Sequence, residues 1–204
     1  MTTLLISILT LGATLISPKM ARIGGHDGVE VYQNKTSGSV IELAAVAEFD
    51  APPSQVQAVL LDYAAYRRIN PSLAESVVLS RQAGEQLVYQ HLKLPMLKDR
   101  DFTLHVVWTE GRANGLAFSI DHGRGPAPSA KAVRMTRLTG QWVLIPIRGG
   151  RATQAYYHLE LDISGSVPHW MVSGGAAKDL PNVFLGVRKL LGERRGTIGA
   201  VSSL

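Results

Sequence analysis

No cysteine occurs in the 204 residues, which excludes disulfides, cysteine-ligated zinc, iron–sulfur clusters, thiol nucleophiles and a lipoprotein anchor. The redox compartment stays open, because a cysteine-free chain suits cytosol and periplasm alike. Aromatic residues make up only 6% and charged residues 18%. A net charge of +5 on a chain so poor in rings is not the basic, stacking surface of a nucleic-acid binder, and no nucleic-acid partner is expected. A G-x-S-x-G elbow, a Walker loop, a dinucleotide fingerprint and H-E-x-x-H are missing too, so no cofactor is expected. The six histidines, His26, His91, His105, His122, His158 and His169, scatter over turns and outward strand positions, and no metal site is expected from them. His158-Leu159-Glu160 reads as surface, since the Pro-Cys-x-x-Cys half of a deaminase signature cannot exist here.

What the chain does have is 46% hydrophobic residues, enough for one domain with a large apolar core. Residues 4–16 read LLISILTLGATLI, without a charge. That is the length of a signal h-region and short of the roughly 20 residues a spanning helix needs. Export, with residues 1–21 as signal peptide or short anchor, is the leading expectation. No Lys or Arg precedes the run and residues 17–21 make a poor cleavage site, which keeps an apolar first helix packed on the domain as the alternative. Residues 22–195 are then the domain and 196–204 a loose tail.

Alternating apolar positions predict an opening hairpin from 29–33 and 40–49. Asp50-Ala51-Pro52-Pro53 stops the second strand and starts a helix, where proline replaces an N–H that has no partner anyway. Val56, Val59, Leu60 and Tyr63 share one face of that helix, which ends before Asn70-Pro71. Strands are predicted at 75–81, 86–93, 102–109, 116–121, 135–147 and 152–163. Their short, turn-rich separators require an antiparallel meander. A long helix over 168–191 follows, with a kink or break expected at Pro181. The fold class is α+β, a curved antiparallel sheet wrapped around a long C-terminal helix.

Strand parity indicates which residues face inward. Phe102, Leu104, Val106 and Trp108 share a face, as do Leu116, Phe118 and Ile120, and Thr153, Ala155, Tyr157, Leu159 and Leu161. Arg100 has the parity of Phe102, so its guanidinium points to the apolar side, a costly place unless a partner or ligand answers it. On the terminal helix, Trp170, Gly174 and Ala177 form one line, and Val183, Val187, Leu190 and Leu191 continue a stripe. A long sheet around one helix has more inner surface than the helix covers. A cavity is therefore expected, suited to an apolar molecule with a polar or acidic head.

The ordered series Gly28-Val29-Glu30-Val31-Tyr32, Ala51 to Val56, Leu60-Leu61-Asp62-Tyr63, Asn70-Pro71, Asp99-Arg100-Asp101-Phe102, Gly140-Gln141-Trp142, Thr153 to Tyr157 and Gly165-Ser166-Val167-Pro168 resembles a START domain. That is the steroidogenic-acute-regulatory-related lipid-transfer branch of the helix-grip superfamily, and the resemblance covers about residues 23–192. It implies a tunnel for lipids, sterols or other hydrophobic molecules, gated by the C-terminal helix. Arg100 matches the family's recurrent Arg-Asp-Phe arginine. Sterol-handling members pair that arginine with an acidic residue on the preceding strand, where this chain has Gln90 and His91.

The candidate ligand-binding residues are Arg100, Phe102, Leu104, Trp108, Phe118, Tyr157, Trp170, Gly174, Phe184 and Val187. Several carry an alternative role. Arg100 is either a ligand anchor or an ion-pair partner of Asp99, Asp101 or Glu75. Trp142, Trp170 and Phe184 fit packing as well as ligand contact. Gly174 and Gly175 mark either close helix approach or a lid. The basic residues Arg188, Lys189, Arg194 and Arg195 either attract an anionic membrane surface transiently or complement the helix end. Relatives in the wider superfamily include polyketide aromatases and cyclases. An enzyme of that kind would need an acid or base in the cavity, with Tyr89, His91 and Tyr157 as candidates.

Overall fold

The computed structural model describes residues 16–34, 40–95, 97–109, 111–128, 130–162 and 169–201, apart from the side chains of 169–174, 176, 177 and 196–201. Most of the apolar N-terminal run, and with it the expectation of export, lies outside the described residues. Ten strands form one sheet: β1 (Met20–Gly24), β2 (Glu30–Asn34), β3 (Val40–Phe49), β4 (Leu73–Gln82), β5 (Glu85–Leu92), β6 (Asp99–Val107), β7 (Gly115–Ile120), β8 (Ala132–Arg134), β9 (Arg137–Ile147) and β10 (Ala152–Asp162). The helices are α1 (Pro53–Leu60), α2 (Tyr66–Ile69) and α3 (His169–Val201), with a 3-10 turn at Tyr63–Ala65 between the first two.

The strand order is β1-β2-β3-β10-β9-β7-β6-β5-β4. The expected meander holds from β4 to β7 and from β9 to β10, and β10 closes on β3 in antiparallel register. Between β3 and β4 the chain must cross to the far edge of the sheet, and α1, the 3-10 turn and α2 carry it there. Pro53 sits in the first turn of α1, and Val56, Val59 and Leu60 are fully buried beneath it. Asn70 takes extended backbone angles as the residue before Pro71 and so ends α2.

Four expectations need correction. Met20 and Ala21, expected with the N-terminal segment 1–21, pair instead with Asn34 and Gln33 of β2 in an edge strand that runs to Gly24. The predicted strand 135–147 is β9 less its first two residues, but ahead of it an unpredicted strand, β8, pairs in parallel with β6 over Asp99–Asp101, which departs from the all-antiparallel meander. Arg134 reaches the buried Asp101 there with two hydrogen bonds of 2.8 Å, and the Met135 N–H donates to the Asp101 carbonyl at 2.9 Å. Pro181 does not end α3, which runs on through it. The ring removes one helical hydrogen bond, but Leu180, Phe184 and Val187 on either side are buried against the domain and hold the helix. Nor does Gly192 end it, since α3 continues to Val201 through most of the segment read as a tail.

Helix α3 is fastened at its C-terminal half. Gly186 lies so close to α2 that a Cβ there would come within 2.5 Å of the backbone of Ile69. Arg194 donates to Asp62 at 2.7 Å, and Arg68 pairs with Glu193. Arg188 donates to the carbonyls of Asp27 at 2.6 Å and Glu48 at 3.0 Å. Three of the four basic residues considered for membrane attraction are thus turned onto the domain, with Arg195 3.8 Å from Asp50 and Lys189 exposed.

Candidate functional site: an apolar cavity under the terminal helix

Between the concave face of the sheet and the N-terminal half of α3 lies a cavity of about 520 Å³. Its floor, the wall on the sheet side, is built by seven strands: Leu43 of β3, Leu73 of β4, Gln90 and Leu92 of β5, Phe102 and Leu104 of β6, Phe118 of β7, Leu138 and Trp142 of β9, and Tyr157, Leu159 and Leu161 of β10. Tyr63, Tyr66 and Ile69 form one side, and Gly175, Leu180 and Val183 of α3 the roof. The exposed residues of the lining, Lys93, Pro95, Lys178 and Asp179, mark the mouth. Loss of solvent on the cavity side raises the carboxyl pKa of Asp179, against the opposing effect of Lys178.

A ladder of rings joins this cavity to the core. Phe118 and Tyr157 meet at 6.2 Å, Tyr157 stacks on Trp142 at 4.3 Å, Trp142 tilts against Phe184 at 4.9 Å, and Phe184 stacks on Phe49 at 5.7 Å. Gly140 makes room for it: a Cβ there would strike the Phe118 ring at 2.5 Å and the His158 carbonyl at 2.6 Å. Burial pushes the Tyr63, Tyr66 and Tyr157 phenols above their ordinary pKa, so all three stay protonated donors near neutral pH. Tyr66 donates to the Leu60 carbonyl at 2.8 Å. The Tyr157 hydroxyl has no hydrogen bond to a described residue.

Of the ten candidate residues, Phe102, Leu104, Phe118 and Tyr157 line the cavity together. Four others do not. Arg100 is buried, as its parity required, at 4% exposure. Its guanidinium, however, donates to the backbone carbonyl of Lys98 and, at 3.5 Å, to that of Asp99, and it is not part of the cavity wall. Two of the three suggested partners are engaged elsewhere, Asp99 with His91 at 2.8 Å and Asp101 with Arg134. Trp108 lies just past the end of β6, under the Arg81 guanidinium at 5.4 Å. Phe184 and Val187 are fully buried in the core, with Trp142 standing between Phe184 and the cavity. Trp170 and Gly174 lie on the α3 backbone, but their surroundings fall outside the described residues. Gly175 roofs the cavity with nothing within 4 Å of an added Cβ. The close helix approach is at Gly186 instead.

Sequence reasoning missed Tyr63, Tyr66, Gln90 and Leu138 as cavity residues. Gln90 was legible: with Leu92 it has the parity that faces α3, while Tyr89 and His91 face the opposite side. There Tyr89 donates to Asp101 at 3.3 Å and His91 meets Asp99. That outer face is covered at Thr103, which is 1% exposed under the chain turn at Gly125.

No protein-family model matches the chain. An uncharacterized protein of Pseudomonas aeruginosa is 26% identical over 175 residues, spanning 83% of this chain and 85% of its own. Among solved structures, a fragment of a STAR-related lipid transfer protein from Xanthomonas axonopodis superposes with a TM-score of 0.74 at 23% identity, over 85% of this chain and 98% of the other. Human StAR-related lipid transfer protein 5 gives 0.70 at 13% identity, over 88% and 89%. The chain has the START helix-grip fold. A Streptomyces aromatase/cyclase, Zhui, is also similar, with a TM-score of 0.59 at 15% identity, over 76% of this chain and 95% of its own. At such identities the START likeness establishes architecture, and what this START-fold chain binds has to be argued from its own cavity.

Proposed function

We propose that the protein binds a lipid or other hydrophobic small molecule in the cavity under α3 and carries it without chemical change. The observation that supports this most directly is the cavity itself. Its volume of about 520 Å³ lies in the range of small-molecule sites, and its floor is almost wholly aliphatic and aromatic. Burying roughly 300 Å² of guest surface at about 25 cal/mol/Å² contributes a gross 7–8 kcal/mol before association costs. The names of the similar solved structures, STAR-related lipid transfer proteins, point the same way. The helix would serve as the gate at its N-terminal half, since the ion pairs and the Gly186 contact tie down its C-terminal half.

A cyclase-like reaction finds less support. Tyr89 and His91 face away from the cavity, and Tyr157, with a raised pKa, is a donor rather than a base. The test is binding of the neutral probe N-phenyl-1-naphthylamine, followed by its fluorescence. One equivalent should bind wild type, and Leu104→Trp, which fills the cavity floor, should lower affinity about tenfold or more while the protein still melts cooperatively. Probe binding that is indifferent to Leu104→Trp would reject the cavity as the site.

A further inference from the structure

We infer that Gln90 of β5 is a built hydrogen-bond acceptor in the cavity, selecting guests whose head is a neutral donor such as a hydroxyl or amide N–H. This deepens the proposed function and rests on it. The orientation of the amide follows from a relay. Ser76 of β4 donates its hydroxyl to the Tyr63 carbonyl at 2.7 Å. Its single proton is then used, so Ser76 Oγ can only accept from the Gln90 amide 3.0 Å away, and the atom facing it is Nε2. Oε1 is thereby turned to the other side.

Gln90 is 5% exposed and lines the cavity. Among the described residues none donates to Oε1, and this atom is not one of the sealed-in orphans, which are Gln86 Oε1, Thr103 Oγ1 and Asn114 Oδ1. What Oε1 opens on is the cavity. A buried carbonyl oxygen without a donor is costly, and a guest hydroxyl or N–H answers it. A carboxylate or phosphate would set oxygen against oxygen, and the charged lining residues Lys93, Lys178 and Asp179 are exposed at the mouth, away from any compensating role inside. An ether or ester head offers only acceptors. The Tyr157 hydroxyl and the Ser72 hydroxyl can serve alcohols and ethers alike, and the Asn70 carboxamide oxygen already accepts the Ser72 N–H at 3.0 Å, so the discrimination is assigned to Gln90.

The experiment measures displacement of N-phenyl-1-naphthylamine from the full chain by 1-decanol, decyl methyl ether and decanoate. Wild type should prefer the alcohol over the ether by about tenfold, with decanoate weakest. Gln90→Met, similar in length but without an acceptor, should bring alcohol and ether together, and Ser76→Ala, which frees the amide to rotate, should reduce the preference. Should Gln90→Met fail to fold, the wild-type comparison decides alone. Equal affinity for alcohol and ether in wild type, or a preference that survives Gln90→Met, overturns the inference while leaving the hydrophobic carrier intact. Failure of all three probes to displace the dye overturns the carrier reading and this inference with it.

Discussion

A methyl group added at Gly186 would land on backbone. Its carbon would sit 2.5 Å from both the Cα and the carbonyl oxygen of Ile69 in α2, a contact that no side-chain rotation relieves. Overpacking of this kind costs about 1–3 kcal/mol, and an immovable neighbour argues for the upper end. Alanine's helix preference over glycine returns about 1 kcal/mol. The Arg68–Glu193 and Arg194–Asp62 pairs beside it are exposed, each contributing at most about 1 kcal/mol, so they cannot hold α3 in place against the clash. Gly186→Ala should therefore lose about 2 kcal/mol, and at about 2–4 °C per kcal/mol for a chain of this size Tm should fall by about 4–8 °C. Gly175→Ala is the matched control on the same helix. Nothing lies within 4 Å of its added carbon, so it should gain about 0.5–1 kcal/mol and melt slightly higher than wild type. Thermal unfolding followed by circular dichroism reads both. If Gly186→Ala melts at or above wild type, the account of how α3 is gripped is wrong.

Two further outcomes follow from the core and from the outer face of the sheet. Phe184→Ala removes a fully buried ring between Trp142 and Phe49 and should cost about 3–5 kcal/mol in urea unfolding, whereas a true cavity-lining position would tolerate truncation better. The Asp101 carboxyl is held below its ordinary pKa chiefly by the hydrogen bonds from Arg134. Its contribution is complete above the unfolded carboxylate value of about 4 and is lost as pH falls through the lower folded value. Asp101→Asn should destabilise by about 3 kcal/mol at pH 7, and the gap to wild type should narrow below about pH 4. A gap that stays constant down to pH 2 would mean the ion pair is not its source.

Much of this fold is legible in local pattern because one face of the sheet is buried and one-residue alternation then fixes every side chain's direction. The inward sets Phe102 and Leu104, Phe118, and Tyr157, Leu159 and Leu161 follow from parity alone. Burial of Arg100 does too, but not the acceptors it meets: the carbonyls of Lys98 and Asp99 are brought to its guanidinium by the backbone path into β6, which no side-chain pattern encodes. Phe184 and Val187 have the right face of α3 but the wrong height on it. Where a helix stops roofing a cavity and starts packing on a core depends on α2, and Gly186 sets that through a contact with Ile69 117 positions away in the chain. The parallel strand β8 was invisible for a similar reason, since its three residues are placed by contacts with β6 distant in sequence, Arg134 and the Met135 N–H both donating to Asp101.

Native mass spectrometry of the freshly purified full chain asks most directly whether the space under α3 holds a guest. The expected result is the 22.0 kDa chain accompanied by a non-covalent adduct of a few hundred daltons, shed on collisional activation and exchangeable for added 1-decanol. Bare chain alone, unchanged after incubation with 1-decanol, would contradict the carrier reading.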